Sequence, residues 1–180
     1  MPVITGLQLP IDWTKFGWDA TPAIGGITCT TGDPMWSWDS TTPAFGIVVF
    51  EPPPGRPVES FTVDHVVLLV PSLDDAVATL GRADIEPRLR MKVGGRPAAF
   101  FRVGPVLEVI ESPVRAASIY GIAIATDLSL ESLALEWRAR DLTVGDPKDA
   151  IQPGRRIMTV HDLEAGFAVM TPDRAMDPPK

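Results

Sequence analysis

The chain has 180 residues, a net charge of −7 and a single cysteine, Cys29. That length holds one substantial domain, or two small modules with a common core. The acidic balance, with no large cluster of Lys and Arg, argues against a nucleic-acid partner; one cysteine excludes an internal disulfide framework and a Cys-rich zinc site. No apolar run reaches the roughly 18 residues of a membrane helix, so no membrane association is expected. The start, MPVITGLQLPIDW, lacks a basic segment followed by an apolar core. No secretory signal is therefore expected, and the cytoplasm is the expected compartment.

Residues 1–58 read as an N-terminal extension. They hold Trp13, Trp18, Trp36 and Trp38, and dense turn signals such as Gly25-Gly26 and Gly32-Asp33-Pro34. Ala44–Phe50 is a plausible strand and Val3–Leu9 a weaker one. Four indoles in so short a stretch must pack on the rest of the protein, on a second copy, or around a ligand. Pro52-Pro53-Pro54 then forms a stiff join.

From Thr62 the pattern sharpens. Val63–Val70 reads as a strand buried on both faces apart from Asp64 and His65. Ser72 and Asp75 make a capping signal, and Leu73, Ala76, Val77 and Leu80 recur at helical spacing, which predicts a short amphipathic helix ending near Gly81. Three strands follow over 86–93, 97–103 and 106–111, with Gly94-Gly95 as a two-residue hairpin turn. The same order then recurs. Ile119–Ala125 is an apolar strand, and Leu130, Leu133, Ala134 and Trp137 mark a second helix over 129–140. His65 to Gly121, Leu73 to Leu130 and Arg96 to Arg155 are 56, 57 and 59 residues apart. Two βαβββ modules are expected, at 59–114 and 115–172, followed by a disordered tail at 173–180.

Three stretches carry a resemblance to the vicinal oxygen chelate superfamily, the glyoxalase, bleomycin-resistance and dioxygenase group. They are Asp64-His65-Val66-Val67, Ser72-Leu73-Asp74-Asp75-Ala76 and Leu107-Glu108-Val109-Ile110-Glu111-Ser112-Pro113. The resemblance spans residues 62–172 and leaves out the extension. It implies an α+β fold, in which two tandem βαβββ modules form curved sheets around a shared cavity. It also implies that any divalent metal would take ligands from the first and last strands of both modules. His65 and Glu108 match those positions in the first module. The repeat offers Gly121 and Phe167 in the second, and neither has a donor side chain, so a metal site looks incomplete. A homodimer, common in this group, is also implied.

His65 admits three readings: a metal ligand, a cavity acid or base, or a buried histidine satisfied by one hydrogen bond. Glu108 lies between Leu107 and Val109 and needs a partner; the repeat places it near His65, and a hydrogen-bonded pair of the two could move a proton. Arg96, Arg102 and Arg155 are candidates to hold an acid group, set against a solvated charged face. Phe167 at a former ligand position would make the pocket apolar. The resulting expectation is a glyoxalase-like protein that binds a small apolar or aromatic molecule without a tightly held metal. The alternative is an enzyme of that superfamily using His65 and Glu108, for proton transfer or as part of a divalent metal site.

Overall fold

The computed structural model describes residues 1–173. The expected tail therefore falls, from residue 174 onward, outside the described residues. The extension is not a loose arm. Its strands β1 (Ile4–Leu9), β2 (Pro22–Ile24), β3 (Ile27–Thr31), β4 (Met35–Trp38) and β5 (Arg56–Pro57) form one sheet in the order β4-β1-β3-β2-β5. The strand expected over 44–50 is reduced to an isolated bridge between Val49 and Trp36. Gly46 sits there in the left-handed region at φ +75°, and Val48 and Val49 are exposed, so the segment has neither the backbone nor the burial of a strand.

The two modules follow as expected. The first comprises β6 (Thr62–Val70), α1 (Leu73–Gly81), β7 (Leu89–Val93), β8 (Arg96–Arg102) and β9 (Val106–Glu111). The second comprises β10 (Ser118–Ala125), α2 (Leu130–Arg138), β11 (Thr143–Val144), β12 (Lys148–Asp149), β13 (Arg156–His161) and β14 (Gly166–Met170). Their strands join in one continuous sheet, β11-β13-β14-β10-β6-β9-β8-β7, with β12 against β13. The seam is the antiparallel pair β6–β10. Both modules of the sheet therefore come from the same chain.

Local chemistry explains the element ends. Ser72 accepts the Asp75 N–H at 3.3 Å, and Ser129 accepts the Ser132 N–H at 3.2 Å, so each helix has a side-chain cap. Glu111, at the end of β9, adds a second cap by accepting the Leu73 N–H at 2.9 Å. Gly94 and Gly95, both at positive φ, make the tight turn between β7 and β8. The apolar helix faces are buried through Leu73, Ala76 and Leu80 in α1 and through Leu130, Leu133, Ala134 and Trp137 in α2.

The extension packs on the helix side of module two. Trp13 meets Phe167 edge-on at 6.0 Å between ring centroids, while Phe16 lies 4.9 Å from both Phe167 and Trp137. Trp18 closes the cluster against Phe61 at 5.3 Å. A backbone bond from Ile4 N–H to Val103 O, 3.0 Å, ties the same extension to module one. The tryptophans are thus core and cover. None lines the cavity described below. No helix among the described residues is long and apolar enough to cross a membrane.

Candidate functional site

A cleft with two adjoining lobes, about 600 and 560 Å3, lies over the strands of both modules. Volumes of this size suit a small organic ligand. His65, Glu108, Ile151 and Gln152 border both lobes. The first lobe is completed by module-one residues such as Leu89, Met91, Phe100 and Arg102, and by Ala125, Pro153 and Arg155 of module two. The second lies over Gly121, Ala123, Gly166 and Ala168, beside Tyr120 and Ile157.

A β-bulge sets the chemistry of the first wall. His65 pairs with Ala123 but Val63 pairs with Ile124, so Asp64 is an extra residue in β6. Consecutive side chains of a regular strand point to opposite faces. Here the bulge brings Asp64 and His65 together, and Asp64 Oδ2 contacts His65 Nδ1. Asp64 is also gripped by Arg155, whose two terminal nitrogens donate to Oδ1 at 2.7 Å and Oδ2 at 3.1 Å. Burial disfavours the Asp64 carboxylate, but hydrogen bonds and charge from His65 and Arg155 outweigh it and lower its pKa to about 2. An ionised carboxylate only accepts, so Nδ1 of His65 carries the proton and Nε2 is left for the cavity.

Glu108 shares the site without sharing a bond. It pairs in register with Val67, two residues beyond His65 on the neighbouring strand. Among the described residues it makes no hydrogen bond to His65, contrary to the expected direct pair; the bulge turns Nδ1 to Asp64 instead. Burial pushes the Glu108 carboxyl above its usual range, partly offset by the charge of His65. The two carboxyls therefore pull stability in opposite directions with pH. The share from Asp64 is present above its ordinary 3.8 and is lost as pH falls toward about 2. The share from Glu108 is fully present below its ordinary 4.5 and is lost as pH rises through its raised folded value. Glu108→Gln is accordingly expected to raise stability at pH 7 and leave it little changed at pH 4. Urea unfolding at both pH values checks this, and equal shifts at both would contradict the burial effect.

Three expected site residues have other partners than a ligand in this structure. Arg155 is 7% exposed, and its third nitrogen, Nε, donates to Thr171 O at 2.8 Å. Arg155 borders the first lobe, and its guanidinium is engaged by Asp64 and Thr171. Arg96 is exposed at the start of β8, bonds Ser112 Oγ at 2.8 Å, and borders neither lobe. Phe167 is displaced by one residue of register. His65 pairs with Val106 as Gly121 pairs with Gly166, so the counterpart of Glu108 is Ala168. Phe167 matches Leu107; it is among the residues that border the second lobe, while its ring packs in the aromatic core against Trp13 and Trp137. Arg102, at the other end of β8, does border the first lobe. Among the described residues its side chain makes no hydrogen bond or ion pair.

Gly121 lies where the repeat placed it, and the backbone explains why it is glycine. A Cβ there would stand 1.9 Å from Gly166 O and 2.5 Å from Gly166 C. Gly166 in turn has the Tyr120 ring 2.4 Å from where its own Cβ would be. Module two thus presents Gly121 and Ala168 where donors would be needed. Among the described residues, no group of three or more His, Cys, Asp or Glu is placed to hold a metal ion. Two donors, with His65 Nδ1 already taken by Asp64, do not fit a resident divalent ion that needs about three protein ligands. Sequence reasoning missed the Asp64 clamp and Ala168; the one available signal was an Asp-His pair inside an otherwise apolar strand.

Among solved structures, methylmalonyl-CoA epimerase from Mycobacterium tuberculosis superposes with a TM-score of 0.52 at 14% identity, over 63% of this chain and 89% of that one. A hypothetical protein from Bacillus halodurans C-125 gives 0.56 at 18% identity, over 67% and 100%. Streptomyces coelicolor methylmalonyl-CoA epimerase, in complex with 2-nitronate-propionyl-CoA, gives 0.54 at 16%, over 67% and 100%. The chain therefore has the vicinal oxygen chelate fold, the fold of these epimerases. Identities this low establish the fold and leave activity to the site. No family model and no curated protein matches the sequence.

Proposed function

We propose that the protein binds a small organic acid in the two-lobed cleft without a resident metal ion. The observation that carries this reading is the closed donor position at Gly121, where no side chain fits against Gly166. Arg102 is the cation in the first lobe with no protein partner among the described residues, and it holds the acid group. Leu89, Met91 and Phe100 take the apolar body, and the small-residue floor of the second lobe accepts its extension. Methylmalonyl-CoA epimerases with this fold are solved with 2-nitronate-propionyl-CoA and with methylmalonyl-CoA, which supports an acidic ligand.

Titration of 15N-labelled protein with methylmalonyl-CoA and with a panel of aromatic carboxylates tests the reading. Cavity amides are expected to shift with at least one of these acids. Arg102→Ala is expected to weaken that binding by about 10–100-fold, the loss of one charged hydrogen-bond anchor. Metal analysis of protein purified without chelator is expected to give far less than one divalent ion per chain. A stoichiometric ion, lost in His65→Ala, would overturn the reading.

A second reading is favoured by the way Asp64 holds His65. His65 and Glu108 project from adjacent strands of one sheet, so both address the same face of a ligand. His65 Nε2 would take a proton from the ligand, becoming an imidazolium stabilised by Asp64, while Glu108, whose protonated form burial favours, returns one nearby. The net change is a proton shift along one face. Incubation of bound ligand in D2O tests it: deuterium incorporation that stops in Glu108→Gln marks an enzyme, and none in the wild type marks a binding protein. A homodimer would most readily use the edge strand β7, whose Leu89 and Met91 are exposed; sedimentation measures that directly.

A further inference from the structure

We propose that Arg155 of module two is a positioning residue for His65 of module one, acting through Asp64. The inference rests on the reading of His65 as the working group of the cavity. Arg155 is 91 residues from Asp64 in sequence and crosses the seam between modules. Its fork grips both carboxylate oxygens, and Nε is tied to Thr171 O, so the guanidinium has one orientation. Its backbone is fixed too: Ala150 N–H donates to Arg155 O at 2.9 Å, and Arg155 N–H to Gln152 O at 3.2 Å. The turn that holds Ile151 and Gln152 over both lobes is thus anchored at the same arginine.

Charge balance gives the clamp its effect. With Arg155 in place, the buried Asp64 already has a cation, and His65 needs to offer only its neutral Nδ1–H. Nε2 is then a bare nitrogen facing the cavity. Without Arg155, Asp64 is a buried carboxylate whose one remaining partner among the described residues is the imidazole, and the ring is drawn toward carrying both protons. The other charged groups bordering this lobe are Glu108, Arg102 and Asp173. The arrangement also accounts for the unequal modules. Module two has no donor side chain at Gly121 or Ala168, and supplies instead the guanidinium that orients the first module's histidine.

The chain has two histidines, and His161, exposed at the end of β13, serves as internal reference. In 15N-histidine-labelled, ligand-free protein at pH 7, His65 Nε2 is expected to resonate in the bare-nitrogen range and Nδ1 in the N–H range. In Arg155→Met, Nε2 is expected to move into the N–H range while His161 is unchanged. Arg155→Lys, which keeps the charge but loses the fork, is expected to give an intermediate position. If Arg155→Met does not fold, the double variant Asp64→Asn with Arg155→Met removes both buried charges, and its His65 is expected to populate both tautomers. An unchanged His65 pattern in the folded variants would overturn the inference. The expected His65 pattern in wild type and its change in Arg155→Met, together with no acid bound by wild type, would count against the functional reading alone.

Discussion

Phe167→Ala is expected to lower the free energy of unfolding by about 3–5 kcal/mol, the range for deleting a fully buried aromatic ring. The ring is 2% exposed and sits between Trp13, Phe16 and Trp137. Those partners belong to the extension and to α2, so one truncation opens a cavity at the joint between them. The extension's Trp13 is itself fully buried, and its Nε1–H has no acceptor among the described residues, so its contribution there is packing. Phe167 borders the second lobe, but the ring contacts are with that aromatic core. Urea denaturation should therefore show a large loss of stability, while the affinity for any acid that binds wild type stays within about twofold. A strong loss of affinity with little loss of stability would show that the Phe167 ring itself contacts the ligand.

Gly121→Glu is expected to be among the most damaging single substitutions in the second module. Its Cβ alone would overlap Gly166 O at 1.9 Å, and that oxygen belongs to backbone held in the β10–β14 ladder. Overpacking in cores costs roughly 1–3 kcal/mol, and more where the obstacle is backbone that cannot turn aside. The carboxylate is therefore expected to weaken the fold without creating a metal site. Ala168→Glu provides the control. Ala168 is the counterpart of Glu108, borders the second lobe and is only half-buried, so its side chain has room. That variant is expected to stay within about 1 kcal/mol of wild type in the same denaturation experiment. Equal tolerance of both substitutions would refute the closure of the Gly121 position.

Much of the architecture could be read before any coordinates. The helical spacing of Leu73, Ala76 and Leu80, and of Leu130, Leu133 and Trp137, marks faces that are buried. Gly94-Gly95 specifies its turn through local φ preferences. These features are short-range, because hydrophobic period, capping and turn chemistry act within a few residues. The repeat extended that reach, locating His65 and Gly121 as counterparts from offset alone. It failed at Phe167, where the longer offset between β9 and β14 moved the register by one residue. A slip of one residue in a strand exchanges its two faces, so a ring in the core was assigned to the cavity.

What the sequence by itself determined is the paired-module fold and the wall that bears His65 and Glu108. What only the tertiary structure decided is how that wall works. Asp64 joins His65 because β6 bulges against β10, a property of the pairing of two strands 56 residues apart. Arg155 closes on Asp64 across 91 residues, and Arg96, its counterpart in the repeat, does not. The fate of a charged side chain depends on which opposite charge the fold brings near it, and on how much water is left there. Neither quantity is local, and neither is carried by spacing along the chain.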